Sequence, residues 1–228
     1  MTEQNPNVAA MRIVYDKSEL LESSLANTPL EQFNKWLSEV VLVGSEVVIE
    51  PNAMVLATVD EAGAVTTRSV LLKGIDRRGL SFYTNYNSRK AQAIAANSAV
   101  SVTFPWYPLH RQITVVGTAT KLSATESAEY FYSRPHKSQL GAIVSAQSEV
   151  IESRAILEET MAELESKYPE GSKIPMPDNW GGYLIQVDSM EFWQGRQSRL
   201  HDRLRFVRTG ESFDLSHASA WKVIRVSP

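Results

Sequence analysis

Four short segments of the chain concentrate the ionisable and hydroxyl side chains that could carry chemistry. The first spans residues 68–73, where Arg68 and Lys73 bracket an apolar run that is typical of a strand. Because side chains alternate along a strand, these two cations are predicted on opposite faces. They can serve one ligand only if it lies along the strand end, or if a bulge or a second subunit intervenes. The alternative is a pair of surface charges beside a core strand.

The second segment joins a predicted strand to a predicted helix. Tyr83 and Thr84 end the strand, and Ser88, Arg89 and Lys90 begin the helix. Free backbone amides at a helix start, together with basic side chains, form an anion site. Basic residues in a first helical turn oppose the helix dipole unless an anion is present. A solvated turn is the alternative interpretation.

The third segment spans residues 130–138 and combines a phenol, a guanidinium and a hydroxyl. Tyr130 and Arg134 are four residues apart and therefore share a helix face. Pro135 must end or kink that helix, and Ser138 is predicted to cap the next one. This combination suits a phosphate monoester, although helix capping beside a surface arginine would give the same pattern.

The fourth segment follows Trp193 and contains Arg199, His201 and Arg203. If residues 199–207 form a strand, these three side chains project from one face. Cationic or titratable groups on one face repel one another unless an anion or an electron-rich ligand lies over them. This pattern favours a functional role over a structural one.

The overall composition limits the possible classes of protein. Of the 228 residues, 43% are hydrophobic and 21% are charged, which is typical of a globular protein with a sizeable core. The net charge of −3 argues against a general nucleic-acid binder. The absence of cysteine excludes disulfides and thiolate catalysis, and the four histidines are too dispersed to indicate a metal site. The sequence has no dinucleotide fingerprint, no P-loop and no nucleophile elbow.

Short strands dominate the predicted elements. Thr28, Pro29 and Glu31 form a capping box that begins a helix, and further helices are predicted over 88–97, 123–134, 138–145 and 150–167. The strands are predicted over 53–60, 65–75, 80–86, 99–106, 112–122, 182–187, 191–193, 199–207 and 221–226. Closely spaced strands without regular intervening helices indicate an antiparallel barrel rather than a doubly wound sheet.

The polar residues 1–27 are predicted to be a flexible arm, and residues 28–228 a single domain. The N-terminus lacks a signal-like apolar core, and no segment approaches the roughly 20 apolar residues that span a bilayer. The expected location is therefore the cytoplasm.

The four segments lie within a longer series of motifs. These are PNAMVLATVDEAG, RSVLLKGID, FYTNYNSRKAQAI, FPWYPLHRQITVVG, YFYSRPHKSQLGAIVSAQS, WGGYLIQV and EFWQGRQSRLHDRLRF. Their order over residues 28–228 resembles the pyridoxine/pyridoxamine 5′-phosphate oxidase family. The resemblance implies an α+β fold, namely an FMN-binding split β-barrel (antiparallel, Greek-key-like) with peripheral helices. It also implies a homodimer with both sites at the subunit interface.

The resemblance assigns roles by motif position. It implies FMN contacts by Arg68, Ser69, Val70, Leu71, Leu72, Lys73, Tyr83, Thr84, Arg89, Lys90, Gln112, Gln147, Ser148, Trp193 and Arg203. It implies substrate contacts by Lys73, Tyr130, Arg134, Ser138, Arg199 and His201, and by Arg12 and Tyr15 of the N-terminal arm. Arg199 and His201 are the predicted catalytic pair. No metal is expected.

The implied reaction converts pyridoxamine or pyridoxine 5′-phosphate into pyridoxal 5′-phosphate, with O2 as acceptor and hydrogen peroxide as product. Two alternatives stay open. One is a related flavin oxidase of the phenazine-biosynthesis type on the same barrel. The other is a non-catalytic FMN-binding protein, against which the Arg199–His201 pair argues.

Overall fold

The computed structural model describes residues 13–15 and 18–228. Within these residues the chain forms an α+β fold with five α-helices and nine strands. The helices are α1 (Pro29–Leu42), α2 (Arg89–Ala96), α3 (Ala124–Ser133), α4 (His136–Val144) and α5 (Arg154–Lys167). The strands are β1 (Ala53–Val59), β2 (Val65–Leu71), β3 (Gly74–Asp76), β4 (Gly79–Asn85), β5 (Ala99–Trp106), β6 (Arg111–Lys121), β7 (Trp180–Gln194), β8 (Asp202–Arg208) and β9 (Trp221–Arg225).

The strands form one antiparallel sheet in the order β2-β1-β5-β6-β7-β4-β3, and β8 and β9 continue from β7. Strand β7 is 15 residues long and pairs with β4 near its start, with β8 near its end and with β6 over most of its length. Because β7 has different neighbours at its two ends, the sheet curls into a half-barrel. The predicted antiparallel split barrel with peripheral helices is therefore confirmed.

Helix α1 packs against the sheet, with Phe33 on Phe104 and Trp36 on Phe192. The Thr28 hydroxyl accepts a hydrogen bond from the Glu31 amide at 3.2 Å, as the capping sequence predicts. Phe33, Trp36 and Val40 recur at helical spacing and are fully or almost fully buried. The apolar face of α1 thus completes the main core beneath the sheet.

A second, smaller core lies under α3, α4 and α5. It is built from Phe131, Leu140, Ile174 and Trp180. Helix α3 begins with a reciprocal capping box between Ser123 and Glu126, which fixes its direction away from β6. The small core therefore holds α3 and α4 against the start of β7, next to β4.

The strand predicted over residues 199–207 is partly wrong. Strand β8 begins only at Asp202, and Gln197–Arg199 is a short 3-10 turn. Ser198 and Arg199 adopt left-handed backbone angles, with φ of 55° and 62°. Arg199 and His201 consequently do not share a strand face with Arg203, because the chain turns before the strand begins.

The segment before α1 packs on the barrel from Ser18 onward. Leu20 is only 3% exposed, and its amide donates to the Asp202 carboxylate at 3.1 Å. Arg12 and the rest of residues 1–12 and 16–17 lie outside the described residues, so the flexible arm and the boundary at residue 27 stay predictions. None of the described helices has the length and apolar character needed to cross a membrane.

Candidate active site

A cleft of about 440 Å³ opens between the sheet and helices α2, α3 and α4. Its floor comes from the ends of β2 and β4, and its wall from α3, α4 and the loop after α4. Eleven of the residues predicted to bind FMN or substrate line it, namely Ser69, Val70, Leu71, Lys73, Tyr83, Thr84, Lys90, Tyr130, Arg134, Ser138 and Gln147.

Lys90 is held at the inner end of the cleft by neutral oxygen atoms. Its ammonium donates to the Gln147 side-chain oxygen at 2.6 Å, to the Thr84 hydroxyl at 3.1 Å and to the Ser88 hydroxyl at 3.3 Å. Among the described residues, no carboxylate forms an ion pair with Lys90. Burial lowers the pKa of Lys90 to about 8, and the positive charge of Arg68 contributes to this shift. A bound anion would raise the pKa of Lys90 again.

Two arginines add positive charge beside Lys90. Arg68 donates to the Thr58 hydroxyl at 2.8 Å and to the Leu56 carbonyl at 3.1 Å, so its side chain lies across strand β1. Burial and then the charge of Arg89 lower the pKa of Arg68. Arg89 begins α2, and its amide donates to the Ser148 hydroxyl at 3.2 Å. Cations that depress one another's pKa form a site for an anion.

Arg134 lies at the opposite end of the cleft, where α3 stops. Its guanidinium carbon is 4.8 Å from the Trp180 ring centroid. Its buried Nη1 has no hydrogen-bond partner among the described residues, and burial lowers the pKa of the guanidinium. A buried guanidinium nitrogen without an acceptor is costly, so this position fits a ligand oxygen.

Ser138 differs from the sequence prediction. Pro135 occupies the cap position of α4, and Ser138 lies in the first turn of the helix with its amide bonded to the Pro135 carbonyl at 2.8 Å. Proline suits that position because its missing N–H is not needed there. Ser138 is therefore not a cap, but its side chain lines the cleft near Arg134.

A stack of three aromatic rings supports this end of the cleft. The centroids of Tyr83 and Tyr130 are 4.0 Å apart, and those of Tyr83 and Trp180 are 5.5 Å apart, with near-parallel planes. Burial and the charge of Glu126 raise the pKa of Tyr83, so its phenol stays neutral. Trp180 is not among the site residues predicted from the sequence. Its place in the WGGYLIQV motif was visible, but its contact with Arg134 depends on tertiary packing.

A second cluster of predicted site residues lies at the far end of β7. His201 packs against Trp193 with ring centroids 4.6 Å apart, and the Tyr15 ring meets both edge-on at 5.5 and 6.0 Å. Gln112 pairs with Trp193 across the β6–β7 ladder. Ile13, Tyr15, Arg199 and His201 line a cavity of about 700 Å³. We call Tyr15, Trp193, Arg199 and His201 the end cluster.

Arg203 lies beside the end cluster but is already paired. Its guanidinium donates to the Glu191 carboxylate at 3.0 and 3.1 Å, and the same carboxylate holds Arg205 at 2.6 Å. Leu72 is likewise outside the cleft, since its side chain is 6% exposed in the main core and its amide bonds to the Asn52 carbonyl.

The cleft and the end cluster are far apart in one chain. Tyr83 pairs with Gly182 on β7, whereas Trp193 lies eleven residues further along the same strand. At about 3.3 Å per residue this is roughly 35 Å of strand. One small ligand can reach both sets of residues only if the second set comes from another subunit.

Fold and site together define a class of protein. A curled antiparallel barrel presents cations without carboxylate partners at both ends of an aromatic-walled cleft, which suits planar, phosphorylated ligands. The matching family models narrow the class. Residues 45–168 match the model described as pyridoxamine 5′-phosphate oxidase, and residues 180–228 match the pyridoxine 5′-phosphate oxidase C-terminal dimerisation region. The chain belongs to the pyridoxine/pyridoxamine 5′-phosphate oxidase family, which is a family of oxidoreductases.

Curated relatives match all or most of the chain. The pyridoxine/pyridoxamine 5′-phosphate oxidase of Streptomyces avermitilis is 47% identical over 231 residues, covering 100% of both chains. That of Vibrio atlanticus is 48% identical over 205 residues, covering 90% of this chain and 95% of the relative.

Solved structures support the fold. PhzG from Burkholderia lata, solved in complex with tetrahydrophenazine-1-carboxylic acid, has a TM-score of 0.81 and 27% identity, covering 93% of this chain and 100% of its own. A pyridoxamine 5′-phosphate oxidase-related, FMN-binding protein from Nostoc punctiforme has a TM-score of 0.64 at 14% identity, covering 86% of this chain and 97% of its own. The second likeness concerns the fold alone.

Proposed function

We propose that this protein is an FMN-dependent oxidase that converts pyridoxamine 5′-phosphate or pyridoxine 5′-phosphate into pyridoxal 5′-phosphate. Molecular oxygen is the electron acceptor and becomes hydrogen peroxide. From the amine, the product imine is hydrolysed to the aldehyde and ammonia. The family relationship supports this reaction, and the charge pattern of the cleft supports the ligands.

The observation that carries the proposal is the separation of unneutralised cations into two groups. Lys90 lines the inner end of the cleft, with Arg68 and Arg89 adding positive charge nearby although neither lines it. Arg134 lines the other end, over the Trp180 ring. Two anion-binding sites in one cleft fit two phosphorylated ligands, a cofactor and a substrate. A single phosphorylated ligand would leave one of them without a counter-charge.

The residues present fit an FMN phosphate at the inner end. Lys90 is bound only by neutral oxygens, and Ser88 at the start of α2 makes no side-chain cap to the helix backbone. A phosphate would supply the missing negative charge and accept from the helix amides. Gln147 and Thr84 would hold the cofactor's polar chain beside it. When bound, the flavin supplies the two-electron acceptor that side chains lack.

The substrate phosphate would bind at Arg134, with Ser138, Tyr130 and Lys73 as further partners. The orphaned Nη1 of Arg134 supplies a charged donor, and Ser138 lines the same wall. The Trp180 ring beneath the guanidinium fixes its plane. This end of the cleft would therefore hold and orient the phosphate tail of the substrate.

The end cluster would complete the site from a partner subunit. Residues 180–228, which include Trp193, Arg199 and His201, match the dimerisation region of the family, and this supports a homodimer. In a two-fold dimer the end cluster of one chain can face the cleft of the other. Arg199 and His201 would then lie over the reacting carbon. Sedimentation of a flavin-loaded, active monomer at assay concentration would contradict this arrangement.

Turnover with pyridoxamine 5′-phosphate under air tests the function directly. Peroxide and pyridoxal 5′-phosphate should form in equal amounts, and unphosphorylated pyridoxamine should react far more slowly. The purified protein should carry about one FMN per chain, and riboflavin should bind far more weakly because it lacks the phosphate. Equal affinity for FMN and riboflavin would refute the inner-end assignment.

The likeness to PhzG makes a phenazine-type oxidase the second candidate. Its specific support is the TM-score of 0.81 at 27% identity. The phosphate-binding character of Arg134 and Ser138 favours the vitamin B6 phosphates. Oxidation of tetrahydrophenazine-1-carboxylic acid without turnover of pyridoxamine 5′-phosphate would decide for the second candidate.

A further inference from the structure

The hydrogen bonding of His201 assigns it a specific chemical role. We propose that His201 acts on the bound substrate as a neutral hydrogen-bond donor through Nε2, and that it is not the proton acceptor of the reaction. The role in catalysis rests on the proposed function, whereas the protonation pattern is a property of the chain itself.

One side of the His201 ring is occupied by a backbone donor. The Arg196 amide donates to Nδ1 of His201 at 3.0 Å. An amide N–H is only a donor, so Nδ1 must present a lone pair. In a neutral imidazole the proton is then on Nε2. Nε2 makes no hydrogen bond within residues 13–15 and 18–228, and the ring lines the 700 Å³ cavity.

The loop that makes this bond is held on both sides. Gly195 donates its amide to the His110 carbonyl at 2.7 Å, and Leu200 donates to the Gln197 carbonyl at 3.1 Å. Ser198 and Arg199 take left-handed backbone angles, which turn the chain back toward Arg196. Such angles cost non-glycine residues free energy and are retained where the fold requires them.

The neighbouring carboxylate does not serve His201. A histidine that acts as a general base usually donates Nδ1–H to a carboxylate, which stabilises the imidazolium. Asp202 follows His201 directly, but its oxygens are engaged by Arg225 at 2.7 Å and by the Leu20 amide at 3.1 Å. Nδ1 of His201 therefore accepts a hydrogen bond, whereas Nδ1 of a general-base histidine donates one.

The surroundings of the ring also disfavour its protonated form. Trp193 and Tyr15 pack against it, the Arg196 guanidinium is directed to Glu19 and Asp202, and Arg199 brings a positive charge. Burial and then the charge of Arg199 lower the pKa of His201. A protonated ring would place an Nδ1–H against the Arg196 amide, donor against donor.

This role constrains the proton's path. For the amine, the ammonium would give its proton to water, and the freed lone pair would form the second bond of the C=N group as the hydride leaves the carbon for the bound two-electron acceptor. Because the amine nitrogen has no other lone pair, His201 orients the substrate by donating Nε2–H to an oxygen acceptor beside the reacting carbon. The Nδ1 lone pair of His201 already accepts from the Arg196 amide, so the substrate proton cannot be transferred to His201.

The tautomer can be measured without turnover. Protein labelled with ¹⁵N-histidine and loaded with FMN is compared with His201→Gln, so that the His201 signals are assigned by their loss. Long-range ¹H–¹⁵N correlations distinguish the two neutral tautomers. We expect the Nε2–H tautomer at neutral pH. A proton on Nδ1, or an imidazolium, would overturn the inference.

Two matched variants test the role in the reaction. His201→Gln keeps an amide donor near the position of Nε2, and His201→Asn keeps an acceptor near Nδ1 but lacks the distal donor. Anaerobic flavin reduction by pyridoxamine 5′-phosphate should stay within about tenfold of wild type in the glutamine variant and fall about 10²-fold or more in the asparagine variant. FMN occupancy and melting temperature of both variants are the structural controls.

The outcomes separate this inference from the proposed function. If both variants lose the reaction equally while FMN stays bound, His201 supplies more than a donor and the inference fails. If wild-type protein itself is not reduced by pyridoxamine 5′-phosphate, the proposed function fails, while the correlation spectra still decide the tautomer.

Discussion

The cleft and the end cluster handle charge in opposite ways. In the cleft, Lys90 faces hydroxyl and amide oxygens and Arg134 faces an aromatic ring. Around the end cluster the arginines are paired, with Arg203 and Arg205 on Glu191 and Arg225 on Asp202. Arg199 is the arginine of the end cluster itself, and it forms no ion pair with any described residue.

The difference indicates where ligand charge belongs. A paired arginine already has its counter-charge and serves to hold the backbone of β7, β8 and β9 in place. An unpaired buried cation is unfavourable by several kcal/mol until an anion arrives, to order of magnitude. The cleft is therefore organised to receive anions, whereas the paired arginines around the end cluster hold the strands next to Arg199 and His201.

The largest expected effect tests the end cluster. Arg199→Met keeps the apolar stem and removes the cation, and His201→Asn removes the ring. Each should slow anaerobic flavin reduction by about 10²- to 10⁴-fold, because lost orientation and lost hydrogen bonding in the transition state have effects of about that size. FMN content should be unchanged. Near-normal rates in both variants would show that the end cluster does not act in the chemistry.

The next effect tests the outer end of the cleft. Arg134→Ala should raise KM for pyridoxamine 5′-phosphate with little change in kcat, since a remote phosphate contact persists into the transition state. Loss of a charge-assisted hydrogen bond is worth about 1.5–3 kcal/mol, or about 10- to 150-fold in affinity. If the variant loses flavin at normal KM, Arg134 belongs to the cofactor site instead.

A smaller effect tests the inner end through pH. Lys90 has a lowered pKa of about 8, so it loses its charge as the pH rises through that value. FMN affinity should fall above pH 8, by at most about tenfold per pH unit, because binding then requires proton uptake. In fluorescence titrations, this fall in affinity above pH 8 should be absent when FMN binds the Lys90→Met variant and when riboflavin binds the wild-type protein. If FMN affinity of Lys90→Met still falls above pH 8, the titrating group is not Lys90.

The smallest effect tests the division of the site between subunits. In the proposed dimer, each site combines the cleft of one chain with the end cluster of the other, and we call these its two half-sites. Arg134→Ala impairs the cleft and Arg199→Met impairs the end cluster. A dimer of one chain of each variant therefore has one intact site and one site that carries both changes. If co-expressed chains pair at random, about half of the dimers are mixed and about a quarter of the sites are intact. Activity at low substrate should recover to that level. No recovery would place both half-sites in one chain.

Local chemistry allowed many elements to be predicted. The β5 bounds agree with the prediction, and the caps at Thr28 and Ser123 begin α1 and α3 as expected, because a side-chain oxygen and the third amide meet within one turn. Residues that meet across the sheet were harder to predict. Trp180 was missed because its contact with Arg134 depends on α3 packing against β7.

The turn before β8 had no local signal. The sequence Gln197-Ser198-Arg199 contains no glycine, yet two of these residues take left-handed angles. Alternation over residues 199–207 predicted a strand instead, because neighbouring contacts that impose the turn are invisible in a single sequence. Eleven of the predicted site residues line one cleft, and the roles of all of them stay predictions.

Strand β7 also differs from the two strands predicted over 182–187 and 191–193. It is continuous, and its ladder with β6 shifts register where Gly117 pairs with Val187 and Val116 with Ser189, leaving Asp188 as a β-bulge. A bulge inserts one residue without ending the strand. Low apolar content around Asp188 was therefore misinterpreted as a break.

The bulge has a consequence for how the two half-sites can change. Before Asp188 the odd-numbered residues Tyr183, Ile185 and Val187 point into the core, and after it the even-numbered Met190 and Phe192 do. One extra residue thus switches the inward-facing side chains from odd to even numbers. Deleting Asp188 would leave Val187 and Ser189 opposite Gly117 and Val116, so Phe192 would stay inward and Trp193 outward. The strand would instead lose the local bend and twist that a bulge adds, which would re-aim the end cluster relative to the cleft.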